Sequence, residues 1–304
     1  MRSTTGSQSA PASHTVAAEP SSPGTVQLAV QAAQAIVSPA GLAGGLTELA
    51  LTGARLLMYP LGTRTQPMAA ATDRDRRAAP PTVRARFAAD PLASRVPVVL
   101  VHGLADNRSV FTVMRRGLHR RGFESVSTWN YSPRLDDVAR GAADLGRHLQ
   151  RICEQSGHER VHVVGHSLGG LIARYHLQRQ DGARHVHDLV TLGTPHAGTL
   201  LARLVPTPLI RQLRPGSPLL GELARPAADW CTPVTAIYSD LDQLVIPTSA
   251  GRWDHPDIPA RNVLVRGVGH TSLPFARVVL DEVAATLAGL RALGWPARPS
   301  ASAA

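Results

Sequence analysis

Residues 161–170, with the sequence VHVVGHSLGG, constrain the fold of this chain more than any other segment. The apolar run before Gly165 predicts a strand buried on both faces, and the spacing of the residues after Ser167 is typical of a helix. A serine on so sharp a turn needs small neighbours, because a β-carbon at Gly165 or Gly169 would collide with adjacent chain. The segment therefore predicts a strand, a tight turn and a helix, with Ser167 exposed as a nucleophile.

Short apolar runs alternate with longer helical patterns from Val96 onward. This alternation predicts an α/β fold in which a mostly parallel central sheet is covered by helices on both faces. We expect one catalytic domain over residues 96–294. The predicted strands are 98–101, 125–129, 161–164, 189–192, 234–238 and 262–265, and the predicted helices are 138–153, 168–178 and 273–293.

The chain before this domain has a different character. Residues 1–25 are rich in Ser, Ala, Thr and Pro and predict a disordered tail, as do residues 295–304. Residues 26–60 predict an apolar helical hairpin, in which Pro and Gly between the halves disfavour a transmembrane span. We expect the hairpin to pack on the catalytic domain, with a peripheral membrane contact or an oligomer contact as the alternatives. Residues 61–95 predict an exposed linker.

Composition excludes several classes of function. The formal charge is +10 and all 32 basic residues are arginines, but they are dispersed and form no nucleic-acid motif, so we expect no nucleic-acid partner. Two cysteines exclude a disulfide scaffold. The spacing of His185 and His187 offers too few ligands to predict a metal, and we expect no cofactor. Because the N-terminal stretch lacks the basic and apolar regions of a secretory signal, we predict a cytoplasmic or peripherally membrane-associated protein.

A serine nucleophile that attacks an acyl group needs an oxyanion hole made of two N–H donors. One donor comes from the residue after the serine, which is Leu168. The other comes from a loop after an earlier strand, and His102-Gly103-Leu104 follows the predicted strand 98–101. We therefore predict the backbone amides of Leu104 and Leu168 as the oxyanion donors.

Four motifs resemble a known family. VHGLADN at 101–107, GHSLGG at 165–170, LGTPHAG at 192–198 and a late Asp and His are similar to the bacterial triacylglycerol lipase/esterase branch of the α/β hydrolases. The resemblance extends from about Val96 to Leu293, and it implies an α/β-hydrolase fold with the chain order serine, acid, histidine.

The resemblance also implies the remaining catalytic residues. The family's D-x-x-V-x-P turn matches residues 242–247, so the acid would be Asp242, with Asp240 as the alternative. His270 follows the last predicted strand and precedes a helix, and it is the predicted base. An apolar substrate pocket would be formed by Val110, Phe111 and Pro195, together with the side chains at the two oxyanion positions.

The predicted function is a serine hydrolase that cleaves carboxylic esters, with an ester or lipid as substrate, through a Ser-His-Asp triad and an acyl-enzyme. Residues 197–230 fit a cap or lid over the site, although plain packing is the competing interpretation. Two other functions stay open at this point. One is an acyltransferase that uses the same triad, and the other is an idle scaffold that binds a partner or membrane.

Overall fold

The computed structural model describes residues 69–70, 80–227 and 230–290. The predicted tails at 1–25 and 295–304 and the predicted hairpin at 26–60 lie outside these residues. Among the helices of the described ranges, none is both long enough and apolar enough to cross a membrane.

The described residues form seven strands and seven α-helices. The strands are β1 (Ala69–Ala70), β2 (Val98–Val101), β3 (Ser125–Trp129), β4 (Val161–His166), β5 (Val186–Leu192), β6 (Val234–Leu241) and β7 (Ala260–Gly269). The helices are α1 (Pro81–Ala89), α2 (Thr112–His119), α3 (Val138–Ser156), α4 (Leu168–Arg179), α5 (Pro208–Arg211), α6 (Pro218–Leu223) and α7 (Arg277–Leu287).

The strands form one sheet in the order β1-β3-β2-β4-β5-β6-β7. All neighbours from β3 to β7 are parallel, and only the short β1 is antiparallel to its neighbour β3. Parallel strands place all their carboxyl ends at one edge, where ligands of open α/β sheets bind. The predicted α/β architecture is confirmed.

Two apolar clusters hold the helices on the sheet. Because side chains alternate along a strand, Val99 of β2 faces the cluster under α3 and α4, whereas Leu100 faces the cluster under α2 and α7. Every residue of β2 is fully buried. Helices therefore cover both faces, which explains why the strands are apolar without alternation.

The segment from Pro80 to Arg95 is not the exposed linker that the sequence predicts. It forms α1 and a short 3₁₀ turn, Pro91–Ser94. Val83 is buried, and the ring of Phe87 contacts that of Phe123 edge-on at 5.2 Å between centroids. The Pro80-Pro81 pair suggested a linker, but proline is well tolerated in the first turn of a helix, where its missing N–H costs nothing.

Candidate active site

Ser167 lies in the sharp turn between β4 and α4. Its backbone has φ 52° and ψ −121°, a strained conformation for a residue with a side chain. A β-carbon at Gly165 would lie 2.6 Å from Cα of Gly170, and one at Gly169 would lie 2.4 Å from the Val101 carbonyl oxygen. Backbone cannot yield to such contacts, so the glycine at each position is a steric requirement.

Hydrogen bonds from the neighbouring strand hold this turn in place. The Ser167 amide donates to the Leu192 carbonyl at 2.9 Å, and its own carbonyl accepts from the Thr194 hydroxyl at 3.0 Å. The turn directs the first residues of α4, with their unsatisfied N–H groups, toward the serine. The nucleophile position therefore carries a fixed positive potential.

His270 and Asp242 form a buried hydrogen-bonded pair at the same edge of the sheet. Nδ1 of His270 donates to Oδ2 of Asp242 at 2.8 Å. The other oxygen of Asp242, Oδ1, accepts the amides of Leu244 at 2.9 Å and Val245 at 2.8 Å. Because Nδ1 carries its hydrogen in this pair, Nε2 is the nitrogen with the lone pair that can take up a proton.

Asp240, the alternative acid, lies in a different environment. Its Oδ1 accepts the Gly267 amide at 2.8 Å, and Oδ2 lies 3.7 Å from the Arg266 guanidinium. The carboxylate is partly exposed, and its hydrogen bond is to the backbone of β7. The geometry thus favours Asp242 as the partner of His270.

The loop after β2 approaches the serine closely. A β-carbon at Gly103 would lie 3.1 Å from Cβ of Ser167. The Gly103 carbonyl accepts the Tyr131 hydroxyl at 2.6 Å, and the Tyr131 ring stacks on His102 at 4.1 Å. In a trans peptide the N–H points opposite to the C=O, so this bond directs the Leu104 amide away from Tyr131. Ala105, with φ 55°, continues the strained loop.

Sequence reasoning missed Tyr131. The only signal in the sequence is its position directly after strand β3, at the edge where the carboxyl ends of the strands meet. Its contact with the Gly103 carbonyl holds the loop that presents the predicted oxyanion donor.

A cavity of about 440 Å³ opens at Ser167 and His270. Its volume is within the usual range for small-molecule sites. Leu104 and Pro195 line it as predicted. Apolar side chains form most of the remaining wall, namely Leu201, Ala202, Leu204, Val205, Ile210, Leu213, Leu244 and Val245.

Val110 and Phe111 do not line this cavity, contrary to the prediction. Both are buried in the core with Met114 and Leu118 of α2. They follow the Leu104 loop in sequence, but they belong to a 3₁₀ turn, Arg108–Phe111, that leads directly into α2. Their side chains consequently pack in the core between α2 and one face of the sheet. Leu168 is also fully buried, so only its backbone amide is a candidate for a role at the site.

Much of the cavity wall comes from the segment 197–230, which the sequence predicts as a cap or as plain packing. The structure shows both lining and packing residues in it, and its role as a cap stays a prediction. Leu204 and Val205 are exposed beside the cavity, whereas Leu209, Leu219 and Leu223 are buried in the core. The outer side chains of the segment line the cavity, and its inner side chains pack in the core.

Arg174 of α4 connects this segment to the helix that begins after the serine. Its guanidinium donates to the carbonyls of His196 and Leu223, at 3.1 Å each, and lies 4.5 Å from the centre of the Trp253 ring. Burial, and to a lesser degree the charge of Arg179, lowers the pKa of Arg174 to about 9. Burial and Arg174 likewise hold the pKa of His196 well below its usual value, so that ring is neutral.

The chain is similar to known lipases and to a thioesterase family. A family model described as palmitoyl protein thioesterase matches residues 97–225. Triacylglycerol lipases of Pseudarthrobacter phenanthrenivorans and Burkholderia plantarii are each 32% identical over 121 residues, covering 37% of this chain. Those alignments cover 37% and 33% of the two lipases, so the chain spans about a third of the length of the curated relatives it matches.

Solved structures extend the likeness in fold. Bacillus licheniformis lipase BlEst2 in its mature form superposes with a TM-score of 0.56 at 19% identity, over 64% of this chain and 92% of that one. Aspergillus fumigatus lipase B superposes with a TM-score of 0.57 at 20% identity, over 64% of this chain and 52% of that one. At this level of identity the superpositions show the fold, which agrees with the sequence prediction.

Proposed function

We propose that this chain, an α/β hydrolase of the lipase and esterase kind, hydrolyses esters of fatty acyl chains through a covalent intermediate on Ser167. One observation carries the proposal. Ser167 and His270 open into the same apolar cavity, and His270 is oriented by the buried carboxylate of Asp242. This arrangement supports the roles of nucleophile, base and orienting acid for the three residues, as acyl transfer by serine requires.

The proposed reaction has two halves. Nε2 of His270 takes the proton of the Ser167 hydroxyl as Oγ attacks the ester carbonyl, and the amides of Leu104 and Leu168 stabilise the oxyanion. The leaving alcohol takes this proton from His270, and an acyl-enzyme remains. Water then attacks the acyl carbon, again losing a proton to His270, which returns it to Oγ as the fatty acid leaves. Asp242 stabilises the imidazolium in both halves.

The cavity supports the substrate class. Beyond the serine its wall consists largely of aliphatic side chains, which favour an acyl chain over a charged or sugar-like group. The matched family model is named for palmitoyl-protein and two relatives for triacylglycerols, which supports a fatty acyl substrate. Peripheral membrane contact through residues 26–60, the absence of a nucleic-acid partner and the cytoplasmic location stay predictions.

Covalent labelling and turnover test the proposal together. A fluorophosphonate probe labels wild type, and p-nitrophenyl esters of increasing chain length are cleaved. Ser167→Ala abolishes labelling and lowers kcat by about 10⁵–10⁶-fold, the loss typical of a serine nucleophile. Ser132→Ala, a change at an exposed serine in a turn, serves as the matched control and retains both.

Two results separate the alternatives. Labelling or turnover that persists in Ser167→Ala would rule out this nucleophile, and a wild type that does not react with the probe would favour the idle scaffold. When an alcohol is added, free fatty acid as the main product supports hydrolysis, whereas a new ester as the main product indicates an acyltransferase.

A further inference from the structure

We propose that a divalent transition-metal ion of the zinc type binds His162, His187 and Asp188 at the amino-terminal edge of the sheet. The register of β4 and β5 brings these residues together. Val161 pairs with Val186, but the next residue, His162, pairs with Asp188, so His187 is an extra residue in β5. An extra residue of this kind is a β-bulge, which re-aims side chains and is common at functional sites.

The bulge places three potential ligand atoms in a small volume. They all lie within 4.8 Å of one another. Oδ2 of Asp188 is 3.2 Å from Nδ1 of His162 and 2.5 Å from Nδ1 of His187. In a tetrahedral site with bonds of about 2.0–2.1 Å, ligand atoms are about 3.3 Å apart. The cluster would need adjustments of about 1 Å to enclose the ion.

The donor set also suits zinc. Two imidazole nitrogens and one carboxylate oxygen are ligands that zinc takes in three-ligand sites, in which water completes the tetrahedron. The carboxylate of Asp188 and the imidazole of His162 are almost fully buried, so the surrounding fold fixes two of the three donors.

A cavity of about 430 Å³ gives an ion access to the cluster. His187 is partly exposed, with 37% of its side chain accessible. Arg86 and Asp90 face the same cavity from α1, and they form an ion pair at 3.0 Å, so the positive charge of Arg86 is balanced locally.

The proposed site lies far from the nucleophile. His162 precedes Ser167 by five residues, four of which continue along β4, and strands rise by about 3.3 Å per residue. An ion there would join the beginnings of β4 and β5 and stabilise the fold without contact with the ester. The sequence prediction of no metal considered only His185 and His187, because the contact with His162 depends on strand pairing.

Metal binding is measured on the full chain with any purification tag removed, after treatment with EDTA and dialysis against zinc chloride. Wild type is expected to retain about one zinc ion per chain, as measured by inductively coupled plasma mass spectrometry. Zinc is also expected to raise its Tm by several degrees. His187→Ala weakens zinc binding by at least about tenfold and loses the rise in Tm. His187→Gln, which keeps the side-chain size, does the same and guards against a variant that fails to fold.

Because the chain has 13 histidines, two control variants locate the ion. His185→Ala, two residues from the proposed ligand, retains the zinc and the rise in Tm. His270→Ala also retains them. Zinc content that is absent from wild type, unchanged in both His187 variants, or lost in His270→Ala would overturn the proposal, since the last result would place the ion at the ester site.

Discussion

The two edges of the sheet each carry a buried aspartate in contact with histidine, and they use the carboxylate differently. At the carboxyl edge, two backbone amides hold one oxygen of Asp242 and a single imidazole, that of His270, binds the other. At the amino edge, one oxygen of Asp188 lies within hydrogen-bonding distance of both His162 and His187.

The other groups around the carboxylate determine what an Asp–His contact is suited for. Amides that fix a carboxylate leave one imidazole in one orientation, with its second nitrogen available for proton transfer beside a serine. A carboxylate shared by two imidazoles collects nitrogen and oxygen donors around one point, which suits a cation. An Asp–His contact by itself therefore indicates neither catalysis nor metal binding.

The largest effect is expected where the carboxylate orients the base. Asp242→Asn lowers kcat on a short-chain ester by about 10⁴-fold, since an amide does not hold the required imidazole tautomer or stabilise the imidazolium. Asp240→Asn changes kcat by less than about threefold, because that side chain accepts a backbone amide of β7 and has no hydrogen bond to His270. Circular dichroism verifies that both variants fold. A loss at Asp240 equal to that at Asp242 would reverse the assignment of the acid.

The same substitution at the other edge acts on stability. Asp188→Asn, measured with EDTA present, lowers the free energy of unfolding in urea by about 3 kcal/mol, because it removes the charged acceptor from two imidazoles in a buried site. Asp90→Asn, which breaks a partly exposed ion pair, costs less than about 1 kcal/mol. Equal costs at the two positions would mean that the buried cluster contributes no more than a surface pair.

The smallest expected effect concerns a third buried histidine, which lacks the hydrogen-bonded aspartate found at both edges of the sheet. Within the described residues His176 of α4 is buried and neither ring nitrogen is hydrogen-bonded, and burial lowers its pKa to about 4. The unfolded chain binds a proton near pH 6.5 and the folded chain only near pH 4, so acidification across this window favours unfolding.

The variant His176→Leu removes this linkage. We expect the loss of unfolding free energy between pH 7 and pH 4.5 to be smaller by about 2 kcal/mol than in wild type, as measured by urea denaturation at each pH. His148, whose pKa burial and Arg151 also lower to about 4, maintains part of the slope. An unchanged slope would show that the ring of His176 is protonated in the folded protein.

The parts of the molecule that sequence predicted are those encoded by neighbouring residues. The apolar run before Gly165, the serine and the following helix form a local pattern, and the structure has β4, a strained turn and α4 at those positions. The strand Val98–Val101 has the predicted bounds for the same reason, since a strand buried on both faces is apolar throughout.

The parts that sequence did not predict depend on contacts between distant segments. The orientation of Phe111 follows from how α2 packs on the sheet, and the contact of Tyr131 with Gly103 joins two loops 28 residues apart. The approach of His187 to His162 depends on one bulged residue, and bulges shift register without a clear sequence signal. Proline in the first turn of α1 misled the prediction because it occurs in linkers and at helix starts alike.

The hydrogen bonds that Arg174 donates have a consequence for which residues of the segment 197–230 can vary. The guanidinium donates to the main-chain carbonyl oxygens of His196 and Leu223. Every amino acid supplies such an oxygen. Residues between these anchors that face the cavity, such as Leu204 and Ile210, can be exchanged without loosening the attachment. The attachment is thereby separate from the exposed part of the cavity wall, and libraries confined to Leu204 and Val205 would vary that wall on an intact scaffold.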